Sequence, residues 1–534
     1  VTHGVYSFAK RSMSATPAPA PIPETPALHP TPGFLLFLAS MTSLEFLQTG
    51  MINFAARPLI AGVHGSPQGF SLAATIYSVA AIAMLLQHRW LAERLGYRRF
   101  TLLSLALFGA GALLCAEADS IAMFWTGRLL QGAGGATFFC AGRIICNSVK
   151  AELRAKALIT FIIALMGSAS LAPLLSAWSI THVSWRAIFW GMLPLVMIVA
   201  LLASRHMPKD VEGRRDGKEP FQWKIMIGLV LGVGAIQFAI QRVRFDLFSH
   251  PLPIVAMAII GLLAVLWFSN HQQRRPTPLI DYRQLAHARF LVGMLCYGFG
   301  YVVMNANGYL MPHLLQQALG MSVLVSGYLL ALASLGSLGG EFVLIRMMPR
   351  RQGHKIYMMA GLVLLILYGL LSAGFSSQTP WELLALNALT GGIFMSFFMG
   401  PVARGAFQNM DARTFSHAYQ TKNIIREIAG STGITLATLF LQLRSSAHYQ
   451  QLATDDRPNM FAHSDGLLTS TLQPLLHGTE MQAMLLACAD YHHALTITAL
   501  LVVQSIIGPW PGTPPSQVEG TIENSILGRG CIIH

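Results

Sequence analysis

About fourteen apolar segments, each close to 20 residues long, follow one another along the chain and restrict what it can fold into. A helix of that length crosses a bilayer core about 30 Å thick and satisfies its own backbone hydrogen bonds. Only 11% of the residues are charged, against about 25% in soluble domains. We therefore predict an all-α polytopic membrane protein, with approximate span centres at residues 46, 79, 108, 134, 167, 196, 232, 260, 300, 333, 365, 392, 430 and 499.

The basic residues indicate how the chain is oriented. The net charge is +13, but Lys and Arg fall in short clusters between apolar runs rather than in one patch, which argues against a nucleic-acid partner. Alternate loops, such as 89–99, 150–156 and 209–218, carry these clusters, and basic loops stay in the cytoplasm. An even number of spans then places both termini in the cytoplasm and the long segment 446–483 outside. We expect an integral protein of a bacterial inner membrane.

The chain carries no pattern typical of an enzyme or a metalloprotein. Neither a nucleophile with its base nor a phosphate-binding loop emerges, so we predict no catalytic residues. Five of the six cysteines lie in or beside apolar runs without metal-ligand spacing: Cys115, Cys140, Cys146, Cys296 and Cys488. We interpret them as small packing residues and expect no metal site and no cofactor.

Two polar motifs interrupt the first apolar runs. The loop between the second and third spans reads Arg89-Trp-Leu-Ala-Glu93-Arg94-Leu-Gly96-Tyr97-Arg98. The fourth span contains Arg128-Leu-Leu-Gln131-Gly132-Ala-Gly134-Gly-Ala136. A lone cation inside the membrane costs several kcal/mol unless it faces water, an acid or carbonyl groups, so Arg128 is a functional candidate. The glycines allow a neighbouring helix to approach closely.

These motifs resemble the major facilitator superfamily, and in particular its fourteen-span drug:proton antiporters. The loop is similar to the family's Gly-x-Leu-Ala-Asp-Arg-x-Gly-Arg-Arg pattern, and the fourth-span segment to its Arg-x-x-Gln-Gly-x-Gly-Ala pattern. Of the Gly-Pro motif in the fifth span, only Pro173 is retained. The resemblance assigns a conformational role to Glu93, Arg94, Gly96, Arg98, Gln131, Gly132 and Pro173. The alternative for the loop is a purely topogenic basic cluster, and for the glycines helix packing.

The resemblance also implies an architecture of two six-helix bundles with two extra central helices. We expect a disordered cytoplasmic tail at 1–33 and an N-terminal bundle at 34–207. A linker with the two extra spans follows at 208–285. The C-terminal bundle covers 286–508, with the external segment at about 446–483, and a cytoplasmic tail covers 509–534.

Proton coupling in this family uses an intramembrane acid in the first span. Gln48 takes the position of the usual Asp, and Glu45 lies about one turn earlier, so Glu45 is our first candidate for the proton carrier. A structural pairing with a buried arginine is the alternative for it. Near the thirteenth span, Asn423-Ile-Ile-Arg426-Glu427 resembles another family motif and adds Arg426 and Glu427. Arg128 and Glu341 complete the candidates, although Glu341 is also explained by snorkelling or by pairing with Arg346.

Several polar side chains are candidates to line a substrate cavity: Gln48, Asn53, Tyr301, Asn305 and Asn307. Hydrogen bonding between helices is the alternative for them. The resemblance implies a secondary active transporter that exports amphipathic or cationic drug-like compounds in exchange for protons. Its partners would be the lipid bilayer, a small-molecule substrate, protons and a periplasmic adaptor. The alternatives are an importer or uniporter of an organic solute on the same fold, and a transport-deficient membrane sensor.

Overall fold

The computed structural model describes residues 31–147, 149–150, 152–207, 222–246, 251–275, 280, 285, 287–348, 353–407, 410, 412–455 and 468–507. Both predicted tails lie outside these residues except for 31–33, which begin the first helix. The described residues contain fourteen helices that are long and apolar enough to cross a membrane, which confirms the predicted fold class.

We number these helices in chain order. Helices α1 to α7 are Pro32–Phe54, Pro67–Leu95, Tyr97–Ala116, Ile121–Asn147, Arg154–His182, Met192–His206 and Trp223–Asp246. Helices α8 to α14 are Pro251–Gln273, Ala288–His313, Val323–Met347, His354–Ala373, Trp381–Ala406, Ala412–Asp455 and Leu468–Ile507. A short helix at Ala56–Gly62 follows α1, the short helix Ala187–Trp190 together with α6 forms the sixth span, and a π-helical turn at Leu314–Ala318 extends α9.

Local sequence explains where several of these helices begin. The Ser66 hydroxyl accepts a hydrogen bond from the Gly69 amide at 3.1 Å, and Pro67 occupies the first turn of α2, where no backbone donor is needed. Thr31 and Ser322 cap α1 and α10 in the same way. The basic segment 89–99, which we expected to be a loop, is helical on both sides of Gly96. Gly96 has a φ of 76°, a conformation that glycine adopts readily, and it ends α2 and starts α3 within one residue.

The helix contacts group α1 to α6 together and α9 to α14 together. Helix α1 packs on α5 and α4 on both α2 and α3, while α10 packs on α12 and α9 on α13. Among the described residues, the groups are joined mainly by α2 with α13 and by α5 with α10, and also by α1 with α9. Helices α7 and α8 pack on each other, and α7 also packs on α2 and α13.

The glycines of the fourth span lie at points of close helix approach. A Cβ atom at Gly132 would collide with the backbone carbonyl of Tyr77 on α2, and one at Gly134 with the carbonyl of Ser104 on α3. These positions therefore have no room for a side chain.

The segment 446–483 differs from the expected external loop. Helix α13 continues to Asp455 and α14 begins at Leu468, so its described parts are helical. With 44 residues, α13 is about 66 Å long, more than the roughly 45 Å of a complete bilayer. The side chains of Arg444 and His448 both contact Asp490 of α14 at 2.6 Å and tie the two helices together.

Candidate functional site

A central cavity of about 780 Å³ lies between the two helix groups. It reaches the ends of α4, α5, α12 and α13 that lie on the side of the α2–α3 junction, where Arg143, Leu158, Arg404 and Phe415 line it. At the opposite end the helix groups touch, because Gly327 of α10 lies against Ala177 of α5 and the Gln68 and Gln442 side chains hydrogen bond at 2.8 Å. The cavity is therefore closed at that end and extends toward the α2–α3 side.

Two glutamates and one arginine form a buried charge cluster in the wall of this cavity. The Arg426 Nη2 atom lies 2.8 Å from Glu45 Oε1, and the Arg426 guanidinium also donates to Glu427 Oε1. These three residues, Glu45, Arg426 and Glu427, are at most 8% exposed. The structure thus brings together residues 381 positions apart in the chain, from α1 and α13.

The two glutamates are held unequally. Glu427 Oε1 accepts from both the Nε and the Nη2 atoms of Arg426. Glu45 Oε1 accepts from Nη2 and, at 3.3 Å, from the hydroxyl of Tyr77, whereas Glu45 Oε2 has no partner within the described chain. With both carboxylates ionised, the cluster has two negative charges for one positive charge, and one proton would balance it.

Arg128 lies beside the cluster and is linked to it through Tyr77. Its guanidinium lies over the Tyr77 ring, 4.3 Å from the centroid, and donates to Gln131 Oε1 at 2.8 Å. Since Tyr77 also bonds Glu45, an aromatic ring separates the Arg128 cation from the carboxylate. Arg128 is 5% exposed and lines the cavity, where aromatic and amide groups partly replace water around its charge.

Lys422 is a further cation in the cavity wall. It precedes Arg426 by one helical turn on α13 and is 9% exposed. Its Nζ atom lies 4.9 Å from the ring centroids of both Tyr297 and Tyr419 and 5.4 Å from that of Phe139. The ammonium therefore occupies a cage of three aromatic rings.

Glu341 lies apart from the charge cluster, near the α2–α3 side of the cavity. It pairs with Arg404 of α12 at 3.0 Å, whereas the Arg346 that we considered as its partner is exposed. Arg404 lies within reach of Glu341 because α10 and α12 pack tightly together.

Of the predicted cavity residues, Asn53, Tyr301, Asn305 and Asn307 line the cavity. Asn305 donates to the Tyr301 carbonyl within α9, whereas Asn307 accepts from the Tyr491 hydroxyl and so joins α9 to α14. Gln48 is buried outside the cavity lining.

The conformational-motif residues are distributed over the first helix group. Gln131 and Gly132 lie on α4, Pro173 is inside α5 and lines the cavity, and Glu93, Arg94, Gly96 and Arg98 surround the α2–α3 junction. Arg94 packs over the Trp90 ring at 4.6 Å.

Sequence reasoning missed Tyr77, Lys422 and Arg404. Lys422 carried a usable signal, because any ionisable residue in an apolar span is a functional candidate. Tyr77 carried no such signal, since a tyrosine is common in membrane helices. Only its ring beneath the Arg128 guanidinium and its hydrogen bond to Glu45 distinguish it.

Comparison with known proteins is consistent with this fold. The family model described as Major Facilitator Superfamily matches residues 38–434. An uncharacterised MFS-type transporter of Bacillus subtilis, YhcA, is 25% identical over 426 residues, which are 78% of each chain. The multidrug export protein EmrB of Haemophilus influenzae is 26% identical over 434 residues, which are 79% of this chain and 83% of that protein.

Among solved structures, a bacterial homologue of the human lysosomal transporter Spinster, in an inward-facing and unoccupied conformation, matches with a TM-score of 0.58. The match covers 90% of this chain and 98% of the other at 15% identity. At this identity, the similarity supports the fold alone.

Proposed function

The chain belongs to the Major Facilitator Superfamily and is a membrane transporter rather than an enzyme, and on that premise we propose that it exports amphipathic drug-like compounds in exchange for protons. The observation that carries the proposal is the buried charge cluster of Glu45, Arg426 and Glu427 in the wall of the central cavity. Neither a cofactor nor a metal ion is needed, because the proton gradient supplies the energy.

Glu45 is the proton carrier in this proposal. When Glu45 is ionised, Arg426 neutralises it across the α1–α13 contact. Protonation removes the negative charge, so the ion pair weakens and Arg426 pairs with Glu427 alone. Because Glu45 and Arg426 belong to different helix groups, the gain or loss of one proton changes how strongly these groups are held together.

Alternating access requires the two helix groups to rock against each other. The α2–α13 and α5–α10 pairs form the main contacts between them, and the cavity is closed at the end opposite the α2–α3 junction. We assign the α2–α3 side to the cytoplasm, since it carries the basic loops. The present conformation is then inward-facing, with the termini in the cytoplasm and the chain in a bacterial inner membrane.

Glu45→Gln tests the proton carrier. A glutamine keeps the size and hydrogen-bonding capacity of the side chain but cannot release a proton. In inside-out vesicles energised with a pH gradient, we expect the native protein to accumulate naphthylacetate, an amphipathic aromatic acid, and Glu45→Gln to accumulate no more than protein-free vesicles.

Glu341→Gln is the matched control, because Glu341 pairs separately with Arg404 away from the charge cluster. Accumulation that needs Glu341 but survives Glu45→Gln would disprove the assignment of Glu45. Solute movement by the native protein without any proton movement would favour the uniporter, and absence of transport for a broad panel of compounds would favour the sensor.

The extended helices α13 and α14 supply the contact for a periplasmic adaptor in this proposal. Helix α13 is about 20 Å longer than a complete bilayer is thick, and the Asp490 contacts with Arg444 and His448 hold it against α14. Replacing residues 450–474 by a Gly-Ser linker should leave transport in inside-out vesicles intact but lower the drug resistance of intact cells. Unchanged resistance would argue against an adaptor contact at this position.

A further inference from the structure

The charges that line the central cavity favour a negatively charged substrate. Among the described residues, five basic side chains and three acidic ones line it, an excess of two positive charges: Arg128, Arg143, Arg404, Lys422 and Arg426 against Glu45, Glu341 and Glu427. Each acid already contacts an arginine, since Glu45 and Glu427 share Arg426 and Glu341 pairs with Arg404. A cationic substrate would have to displace one of these arginines.

Lys422 differs from the paired arginines. Within the described part of the chain, its ammonium forms no hydrogen bond and no ion pair, and it lies against the three aromatic rings of its cage. An ammonium has three N–H donors, and Lys422 presents them at the cavity wall without a protein acceptor among the described residues. The three aromatic faces that could bind a substrate cation are already occupied by the Lys422 ammonium, so this cage does not favour a cationic substrate.

A second donor lies beside Lys422. The Tyr297 side chain is 2% exposed and lines the cavity, and its buried hydroxyl interacts with that of Tyr301 but forms no hydrogen bond of ordinary geometry with any described residue. The neighbouring Tyr301 approaches it, with ring centroids 4.7 Å apart. An ammonium and a phenol hydroxyl at one wall of an apolar cavity can together bind an acceptor-only group such as a carboxylate or sulfonate.

We propose that Lys422, with the hydroxyl of Tyr297, anchors the acidic group of the substrate, so that the exported compounds are amphipathic organic anions with an aromatic or aliphatic body. The inference rests on the proposed export function and names its substrate class. Methionines and aromatic residues of the cavity wall, such as Met304, Met395 and Phe394, accommodate the apolar body. An inside-negative membrane potential also drives an anion outward, in the direction of export.

The test uses three radiolabelled compounds with one naphthalene body: naphthylacetate, the neutral naphthylacetamide and the cationic naphthylethylammonium. Their affinities for the purified full-length protein in detergent are measured by equilibrium dialysis at neutral pH. The native protein should bind the acetate most tightly and the ammonium most weakly. Lys422→Met should weaken acetate binding about ten- to a hundredfold, the loss expected for a hydrogen bond to a charged group, and leave the amide unchanged. Lys422→Arg should retain the preference for the anion.

Lys224→Met is the matched control, because Lys224 is an exposed lysine at the start of α7, outside the cavity lining. It should bind all three compounds like the native protein. Native protein that binds the amide as tightly as the acetate overturns the inference, and so does full acetate affinity in a Lys422→Met protein that still binds the amide. If Lys422→Met binds neither compound, the inference is tested by the native protein alone, through its relative affinities for the acetate, the amide and the ammonium compound.

Binding without a membrane separates this inference from the proposed function. A native protein that prefers the anion, loses the preference in Lys422→Met and yet fails to accumulate it against a proton gradient supports Lys422 as the anchor and contradicts proton-coupled export. If the protein exports anionic, neutral and cationic compounds equally well in exchange for protons, Lys422 is not the anchor of an acidic group, but the proposed export function stands.

Discussion

At the scale of single residues, the buried charges determine what the cavity can do. Ionised groups inside a membrane are costly, and the chain keeps Glu45, Arg128, Lys422, Arg426 and Glu427 within one cavity wall. The sequence predicted four of the five as candidates from motifs and from their place in apolar spans. It did not predict which acid pairs with which base, because Glu45 and Arg426 meet only through the packing of α1 and α13 against the cavity.

The fourth-span glycines give a testable prediction at this scale. Gly132→Ala would place a methyl group against the backbone of Tyr77, which cannot move as a flexible side chain can. We expect a loss of about 1–3 kcal/mol of stability, seen as a lower unfolding temperature in detergent. Gly167→Ala on α5 is the control, since no atom lies within 4 Å of its added Cβ. Equal unfolding temperatures of the two variants would contradict the close α2–α4 approach.

At the scale of helices, the extra helix α7 packs on α2 and α13, whose contact forms the seam between the two helix groups. Its Gln241 donates to Thr75 of α2 at 2.9 Å, and its Gln237 donates to Ser431 of α13 at 2.5 Å. Ser431 in turn donates to the carbonyl of Glu427, a member of the charge cluster. The sequence predicted α7 and α8 as extra spans but gave no sign of this contact, because a glutamine in an apolar span does not reveal which neighbour it faces.

Removing these side chains should shift the balance between conformations. Gln237→Leu and Gln241→Leu each remove a hydrogen bond that holds α2 or α13 to α7, and such bonds in membranes contribute about 0.6 kcal/mol on average. We expect each variant to lower the ratio of inward-facing to outward-facing protein about threefold, because the present conformation is the inward-facing one. Spin labels at Lys156 and Met347, at the α2–α3 ends of α5 and α10, measure that ratio.

Gln273→Leu is the control for this prediction, since Gln273 is exposed at the end of α8 and away from the seam. A shift of the same size in Gln273→Leu, or unchanged distance distributions in both α7 variants, would show that α7 does not bias the conformation.

At the scale of the whole molecule, the apolar periodicity was sufficient to predict the number and type of spans. The described residues contain fourteen helices long and apolar enough to span a membrane, as expected, because a bilayer leaves a chain of this composition few alternatives. The length of α2 and the helical extensions of α13 and α14 were not predicted. They lie in polar segments, where hydropathy distinguishes a helix from a loop poorly.

The present conformation also depends on the whole molecule. Contacts such as Gln68 with Gln442 and Gly327 with Ala177 join residues far apart in sequence, and they close one end of the cavity. No local pattern in the sequence predicts these contacts, so the direction in which the cavity opens could be obtained only from the structure.

The central claim is that proton binding at Glu45 drives net transport. It is tested most directly by comparing exchange with net accumulation in proteoliposomes that contain Glu45→Gln. Exchange of labelled for unlabelled naphthylacetate across the membrane needs no proton turnover, whereas accumulation driven by a pH gradient does. We predict that Glu45→Gln exchanges the compound at a rate comparable to the native protein but does not accumulate it. Gradient-driven accumulation by Glu45→Gln at the native level would contradict the claim.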